Sequence, residues 1–242
     1  MINIVLPIAG RGSRFVEAGF VLPKPLIPVH GKPMIEIVVN NIRPKGPHRF
    51  IFVALKEHLV NLELKFLLER IAPGCFIVPV EQVTEGAACT VLLAKKFINN
   101  EDHLMIANSD QYVDINIDNY LLSMNDSLAD GIIMTMFADD PKWSYVGLRK
   151  DKTVNNVVEK EVISNEATVG IYNFKHGSDF VYAAEKMISK DLRVNNEFYV
   201  APAYNELIKE KLKIITYNVG KEYDGMYGLG IPSDLKIFCQ FS

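Results

Sequence analysis

Three groups of residues in this sequence have types and spacings that could do chemistry. Gly10 and Gly12 close an apolar run, Leu6-Pro7-Ile8-Ala9, and lead into Ser13 and Arg14. Glycines so spaced let the backbone approach a ligand and turn N–H groups toward phosphate oxygens. A guanidinium next to them adds a forked donor for the same oxygens. Ten residues beyond Arg14, Lys24 stands between Pro23 and Pro25, a cation on a stiffened segment. Asp110 ends the run Leu104-Met105-Ile106-Ala107-Asn108-Ser109-Asp110. A carboxylate at the C-terminal end of a buried strand sits where open α/β sheets bind ligands, and its hard oxygens suit Mg²⁺ shared with phosphate. Taken singly, each feature has a plainer reading: a flexible loop with exposed cations, or an aspartate that caps a turn. The glycine loop is not a dinucleotide fingerprint, because Phe15 stands where a third glycine belongs, and it lacks the Gly-Lys-Ser/Thr ending of a P-loop.

The elements that must position these groups follow from hydrophobic periodicity. Apolar, β-branched runs at Ile2–Ala9, Phe50–Leu55, Cys75–Val80, Leu104–Asn108 and Gly131–Phe137 predict strands. Helices are expected at Pro33–Arg43, at Leu59–Ile71 with Val60, Leu64, Leu67, Leu68 and Ile71 on one face, and at Gly86–Ile98. Such alternation predicts an α/β fold with a mostly parallel sheet between helices. Beyond residue 139 shorter strands are expected at Val146–Leu148, Thr153–Glu159, Ala167–Phe174 and Lys213–Val219. Helices are expected at Ser178–Ser189, Tyr199–Lys211 and Ser233–Phe238. With no linker, repeat or low-complexity tract, one domain is expected over 1–242, in two halves, 1–139 and 140–242, that differ in pattern. Gly10 to Lys32 reads as a long irregular stretch, a length that in a folded domain usually means function or disorder.

Composition narrows the classes further. The 242 residues carry a formal net charge of −3, with 49% hydrophobic and 23% charged residues. A general nucleic-acid or anionic-membrane binder carries an excess of Lys and Arg, so long polyanions are poor partners here; one small phosphorylated ligand needs only a few cations. No apolar run approaches the ~18–20 residues of a membrane span, and the start lacks the basic region of a signal peptide. Cys75, Cys89 and Cys239 match neither a disulfide framework nor a zinc site. A cytoplasmic enzyme is the expectation.

The ordered set Leu6-Pro7-Ile8-Ala9-Gly10-Arg11-Gly12-Ser13-Arg14-Phe15, Lys24-Pro25-Leu26-Ile27-Pro28-Val29 and Gly31-Lys32-Pro33-Met34-Ile35 resembles the signature of the sugar-phosphate nucleotidylyltransferases, the thymidylyl- and cytidylyltransferases among them. The resemblance continues through Glu81-Gln82-Val83-Thr84-Glu85-Gly86, Asp110, Tyr145-Val146-Gly147, Val158-Glu159-Lys160 and Val169-Gly170. It implies a Rossmann-like, GT-A-like fold with a mixed, mostly parallel central sheet flanked by helices. It also implies transfer of a nucleoside monophosphate from CTP, UTP or dTTP to a sugar phosphate or other small phosphorylated acceptor, with release of pyrophosphate and with Mg²⁺ as cofactor. By the same resemblance Arg14 and Lys24 are catalytic, and Ala9, Gly10, Gly12, Ser13, Gln82 and Gly86 bind the nucleotide. Gly147, Glu159, Lys160 and Gly170 bind the acceptor, and Asp110 binds the metal.

The sequence departs from that pattern twice. Glu161 follows Lys160 where the family usually has proline, and Gly228 stands where thymidylyltransferases carry a second metal-binding aspartate, leaving Asp224 as its substitute or Asp110 as sole carboxylate. A glutamine edge pairs with pyrimidines or guanine alike, so Gln82 leaves GTP open as well. The rival readings are a nucleotide-sugar-dependent glycosyltransferase, a cytidylyltransferase with a non-sugar phosphate acceptor, and a non-catalytic nucleotide sensor. Against the first, Asn108-Ser109-Asp110 lacks a second carboxylate and the Arg14/Lys24 loop would go unexplained. Family association points to surface-glycan or capsule precursor synthesis. Because the sequence stops at Ser242, the left-handed β-helix by which some relatives trimerise is not expected, and a monomer or homodimer is.

Overall fold

The computed structural model describes residues 1–61 and 64–240. Its first half runs β1 (Ile2–Ile8), α1 (Ser13–Glu17), β2 (Pro28–Val29), β3 (Lys32–Pro33), α2 (Met34–Asn41), β4 (His48–Leu55), α3 (Lys56–Asn61), α4 (Leu64–Ile71), β5 (Phe76–Val80), α5 (Ala87–Leu92), α6 (Lys95–Ile98), β6 (His103–Ala107), β7 (Gln111–Val113), α7 (Ile117–Asp126) and β8 (Gly131–Phe137). There follow β9 (Ser144–Leu148), β10 (Val154–Glu159), β11 (Glu166–Phe174), α8 (Gly177–Ser189), α9 (Tyr204–Lys209), β12 (Ile214–Glu222), β13 (Gly225–Gly228) and α10 (Pro232–Phe238).

Strand β1 shows how the sequence builds the layers. Its alternation sends Ile4, Leu6 and Ile8 into one buried cluster and Val5 into the other, because successive side chains leave a strand on opposite faces. On the first face α2 lays down Met34, Ile35, Val38 and Val39. On the second α8 contributes Phe180, Val181, Ala184 and Met187, spaced as one stripe of a helix. Between them lies a mixed sheet in the order β5-β4-β1-β6-β11-β8-β12-β13-β7, with β9 and β10 attached beside β11. The pairs β5–β4, β4–β1 and β1–β6 are parallel, as are β8–β12 and β12–β13. Strand β11 runs antiparallel between β6 and β8. This is the α/β sheet that the alternation of strands and helices predicts.

Several expected elements are subdivided, each for a local reason. The helix expected over Gly86–Ile98 breaks after Leu92, where Leu93 and Ala94 close three-residue turns onto Thr90 and Val91. Tyr199–Lys211 is helical only from Tyr204, after a 3₁₀ turn at Ala201–Ala203 that contains Pro202. In the expected Leu59–Ile71 helix, Leu64 and Leu68 are buried, Val60 is exposed, and Leu62 and Glu63 lie outside the described residues. The stretch Gly10 to Lys32 is ordered in short pieces: α1, a 3₁₀ turn at Lys24–Leu26, and the β2–β3 hairpin. Helix α7 had no counterpart in the sequence reading. Only Ile117, Tyr120 and Met124 of it are buried, although the Asn116 side chain caps it by accepting from the Asp118 N–H.

Because Leu6 is fully buried in the central parallel strands, Leu6→Ala is expected to cost ~2–5 kcal/mol of stability. Chemical denaturation of the two proteins measures this as a lowered midpoint at unchanged slope.

Candidate active site

The loop after β1 is held by a close approach that only glycine permits. Gly12 is left-handed (φ 63°), and a Cβ there would lie 3.1 Å from the Cβ of Lys24. The Lys24 segment therefore lies against the glycine loop, and Pro25 beside it is buried. Lys24 Nζ donates to Asp110 Oδ2 at 2.6 Å, with both side chains about one-fifth exposed. Gly10, Gly12, Lys24 and Ser109 together line a small cavity of about 70 Å³. The structure thus brings together Gly10, Gly12, Lys24 and Asp110. Ala9 is buried behind them, and Ser13 and Arg14 open the first turn of α1 at the surface. Among the described residues no carboxylate engages the Arg14 guanidinium.

Asp110 sits in the turn between β6 and β7. Its carbonyl accepts from Leu229 N–H (2.7 Å), and the Asn108 N–H donates to the Gly170 carbonyl (2.9 Å). A Cβ on Gly230 would lie 2.6 Å from Asp110 Oδ2, so the absence of a side chain at 230 makes room for the carboxylate. One partly exposed carboxylate beside a phosphate-type loop fits a Mg²⁺ ion that takes its remaining ligands from phosphate and water. Asp224 does not join it. Strand β13 pairs antiparallel with β7, Gly228 opposite Gln111. This leaves Asp224 four residues farther along, roughly 13 Å at ~3.3 Å per residue. It is exposed there, in the turn before β13, with its carboxylate 3.8 Å from Lys221. The space at Gly228 is taken from elsewhere: a Cβ there would lie 3.0 Å from Oδ2 of Asp234, at the start of α10. The other oxygen of Asp234 accepts from the Tyr223 hydroxyl (3.1 Å), and burial with this carboxylate nearby pushes the Tyr223 phenol up to about 12.

A second cavity, about 240 Å³, opens on the far side of Asp110 and is also lined by Gln111, Glu159 and Gly170. Glu159 is only 8% exposed. Ser144 Oγ donates to it, while burial still raises its pKa above the ordinary carboxylate range. It is therefore not a solvated strand-edge group. Gly170 is needed because a Cβ would fall within 2.4 Å of Asn108 Nδ2 and Gln111 Oε1. Gly147 is not part of this cavity. Its Cα faces the Asn155 and Asn156 side chains, whose amide oxygens would lie 2.4 and 2.0 Å from a Cβ. The expectation that Gly147 offers its backbone to an acceptor is corrected accordingly. Lys160 sits at the rim, its Nζ donating to the Tyr199 hydroxyl at 2.9 Å. Sequence reasoning missed Trp143 and Ser144 on this cavity, and gave no role to Tyr172, which closes the segment Val169-Gly170-Ile171-Tyr172, or to Tyr199, which closes Asn195-Asn196-Glu197-Phe198-Tyr199.

Gln82 is exposed and lines neither cavity. Gly86 has a reason that differs from the expected approach of a base. With φ 132°, it lies so close to Phe198 that a Cβ would be 2.5 Å from that residue's backbone N and O. Phe198 N–H donates to the Glu85 carbonyl (2.8 Å), and its carbonyl accepts from Ala88 N–H (3.0 Å). A strap from the second half of the chain thus crosses the first half at Gly86.

A mixed α/β sheet that sets a cation-bearing glycine loop against a carboxylate at its strand ends defines a nucleotide-handling α/β protein. The chain belongs to the nucleotidyl transferase family, whose model matches residues 3–211. It is 26% identical over 240 residues to the bifunctional protein GlmU of Methanococcus aeolicus, covering 92% of this chain and 52% of that protein. It is 25% identical over 256 residues to UTP–glucose-1-phosphate uridylyltransferase 1 of Staphylococcus saprophyticus, covering 91% and 86%. The chain spans about half the length of the GlmU relatives it matches. Among solved structures, the nucleoside-diphosphate-sugar pyrophosphorylase of Vibrio cholerae superposes with a TM-score of 0.79 at 23% identity, covering 99% of this chain and 100% of that one. That likeness establishes the shared fold.

The contrast between two glycines is testable. Gly86→Ala forces a Cβ into the Phe198 backbone, and strain plus overpacking is expected to cost about 3 kcal/mol or more. Gly10→Ala, where nothing lies within 4 Å of a Cβ, is expected to stay within ~1 kcal/mol of the parent. Equal denaturation midpoints for the two variants would contradict the crossing.

Proposed function

We propose that this chain transfers a nucleoside monophosphate from a pyrimidine nucleoside triphosphate to a sugar phosphate or other small phosphorylated acceptor, releasing pyrophosphate. The observation that carries the reading is the Lys24–Asp110 pair, set between the glycine-loop cavity and the cavity of Glu159 and Gly170. Its two faces supply a place for the donor's phosphates and a place for the acceptor. The names of the relatives, a uridylyltransferase acting on glucose 1-phosphate and GlmU, favour UTP and sugar 1-phosphates as the first substrates to try.

In this reading an oxygen of the acceptor phosphate attacks the α-phosphorus in line, and the bond to the pyrophosphate oxygen breaks as the new P–O bond forms. The nucleophile is already anionic near neutral pH, so the protein's task is alignment and charge compensation rather than proton removal. Gly10, Gly12 and Ser13, with Ala9 behind them, present backbone to the triphosphate, and Arg14 takes its β- and γ-phosphates. Lys24 neutralises the charge that develops at the α-phosphate. Gln82 is assigned to the base edge. Glu159 accepts from donor groups of the acceptor, and Lys160 meets its phosphate. Asp110 would hold Mg²⁺, which when bound supplies charge neutralisation between phosphate oxygens.

Substrate binding in this reading has to open the Lys24–Asp110 pair. At 2.6 Å its gross attraction is on the order of 6 kcal/mol for an effective dielectric of ~20, and desolvation of two partly buried charges offsets much of this. A triphosphate with its metal offers each member a more highly charged partner, so the pair opens as the substrate binds. No helix among the described residues is long and apolar enough to cross a membrane, and the three cysteines are free. Both features suit work on cytoplasmic nucleotides.

The test is pyrophosphate release from CTP, UTP, dTTP and GTP, each against glucose 1-phosphate, inositol 1-phosphate and phosphocholine, with Mg²⁺. One pairing is expected to release pyrophosphate only when both substrates are present; silence across the matrix refutes the assignment. On the active pairing, Lys24→Ala is expected to fold normally and to lose on the order of 10²–10³ in kcat. Near-normal turnover at saturating substrate would remove Lys24 from the mechanism.

A further inference from the structure

The acceptor cavity has a wall that comes from a remote part of the chain. The segment before α9 turns on Asn195 and Asn196, both left-handed (φ 49° and 63°), and Val194 and Glu197 exchange backbone hydrogen bonds across that turn (2.9 and 3.0 Å). Phe198 then crosses Gly86, and Tyr199 emerges into the cavity wall. Lys160 does not itself line the cavity. Its backbone is left-handed (φ 58°) and is fixed by N–H donation to the Trp143 carbonyl (3.0 Å). From there Nζ reaches the Tyr199 hydroxyl at 2.9 Å and lies 5.1 Å from the ring centroid. The positive charge at this rim is therefore delivered to the cavity through the phenol.

We propose that Tyr199 is a phosphate ligand of the acceptor site, its hydroxyl donating to a phosphoryl oxygen of the incoming acceptor with the Lys160 ammonium behind it as the second half of the clamp. This rests on the nucleotidyl-transfer reading of the site. A phenol oxygen that accepts from an ammonium keeps its own O–H free to donate, and the ammonium polarises that O–H toward an anion. Burial holds the Tyr199 phenol above its ordinary pKa, so it keeps the proton it must donate. The clamp also answers a charge problem. Glu159 and Glu197 both act on this pair, and a phosphate entering beside two carboxylates needs a directional donor with a cation behind it. The strap fixes where that donor sits, because Tyr199 directly follows the residue locked to Glu85 and Ala88.

The probe is inorganic phosphate, titrated into the full chain carrying ¹³Cζ-labelled tyrosine. Tyr199 is identified as the resonance missing from Tyr199→Phe. Trp143, the single tryptophan, lines the same cavity and reports binding by fluorescence in parallel. A saturable shift of the Tyr199 resonance is expected, largely lost in Lys160→Met, which keeps the phenol but removes the cation. Phosphate affinity read from Trp143 is expected to weaken about tenfold in Tyr199→Phe, with an unchanged melting temperature. An unmoved Tyr199 resonance, or equal phosphate affinity in Tyr199→Phe, overturns the clamp. Pyrophosphate release without a Tyr199 shift would overturn the clamp alone. A Tyr199 shift in a chain that releases no pyrophosphate would support phosphate binding at Tyr199 and refute nucleotidyl transfer.

Discussion

The contact between Lys24 and Asp110 is the constraint around which the site is organised. It joins parts of the chain 86 residues apart, the irregular stretch after β1 and the turn after β6, through one charged hydrogen bond of 2.6 Å. A lysine on a free loop would spread its charge over many conformers, and side-chain entropy would oppose any fixed position. Pro23 and Pro25 remove much of that freedom, Gly12 lets the segment settle on the glycine loop, and Asp110 holds the far end. The parallel strands β1 and β6 lie side by side, so the glycine loop and the carboxylate leave the same end of adjacent strands. That adjacency places a cation and a carboxylate together at one end of the sheet.

The second constraint is the crossing at Gly86. Two backbone hydrogen bonds tie Phe198 to Glu85 and Ala88, and the chain passes so close that no side chain fits. The segment at Glu85–Ala88 and the cavity wall at Tyr199 are consequently one structural unit. A change in the backbone at residues 85–88 moves Phe198, and Tyr199 moves with it. A rigid backbone link is a direct way to fix the distance between two parts of a site, where a misplacement of about 1 Å can cost on the order of 10²-fold in rate.

How much of this was legible in the sequence depended on whether a residue's reason was local. Gly10, Gly12, Lys24 and Asp110 were readable because glycines, prolines and charges are conspicuous at the ends of apolar strands, and the structure brings those four together. The strands themselves were readable from their alternation, and β8 falls on the expected Gly131–Phe137. Helix α7 was not, since a mostly polar helix with three buried side chains leaves little periodicity. Gly147 misled because its neighbours are the amides of Asn155 and Asn156 on the paired strand, a fact of register that composition does not carry. Tyr199 stands in a segment the sequence singles out, but its role was not legible for a similar reason: its position depends on a contact between residues more than a hundred apart in the chain.

The closing segment shows how a departure in sequence can be absorbed in space. Residues 228 and 230 are both glycine, and each faces a carboxylate that belongs to another element, Asp234 on α10 and Asp110 after β6. Filling either position with a side chain would displace that carboxylate. Asp234 thus occupies the volume beside Gly228 and anchors Tyr223. With Asp224 held apart by the β13–β7 register, Asp110 is left as the carboxylate beside the glycine loop, and Lys24 supplies the positive charge that answers it.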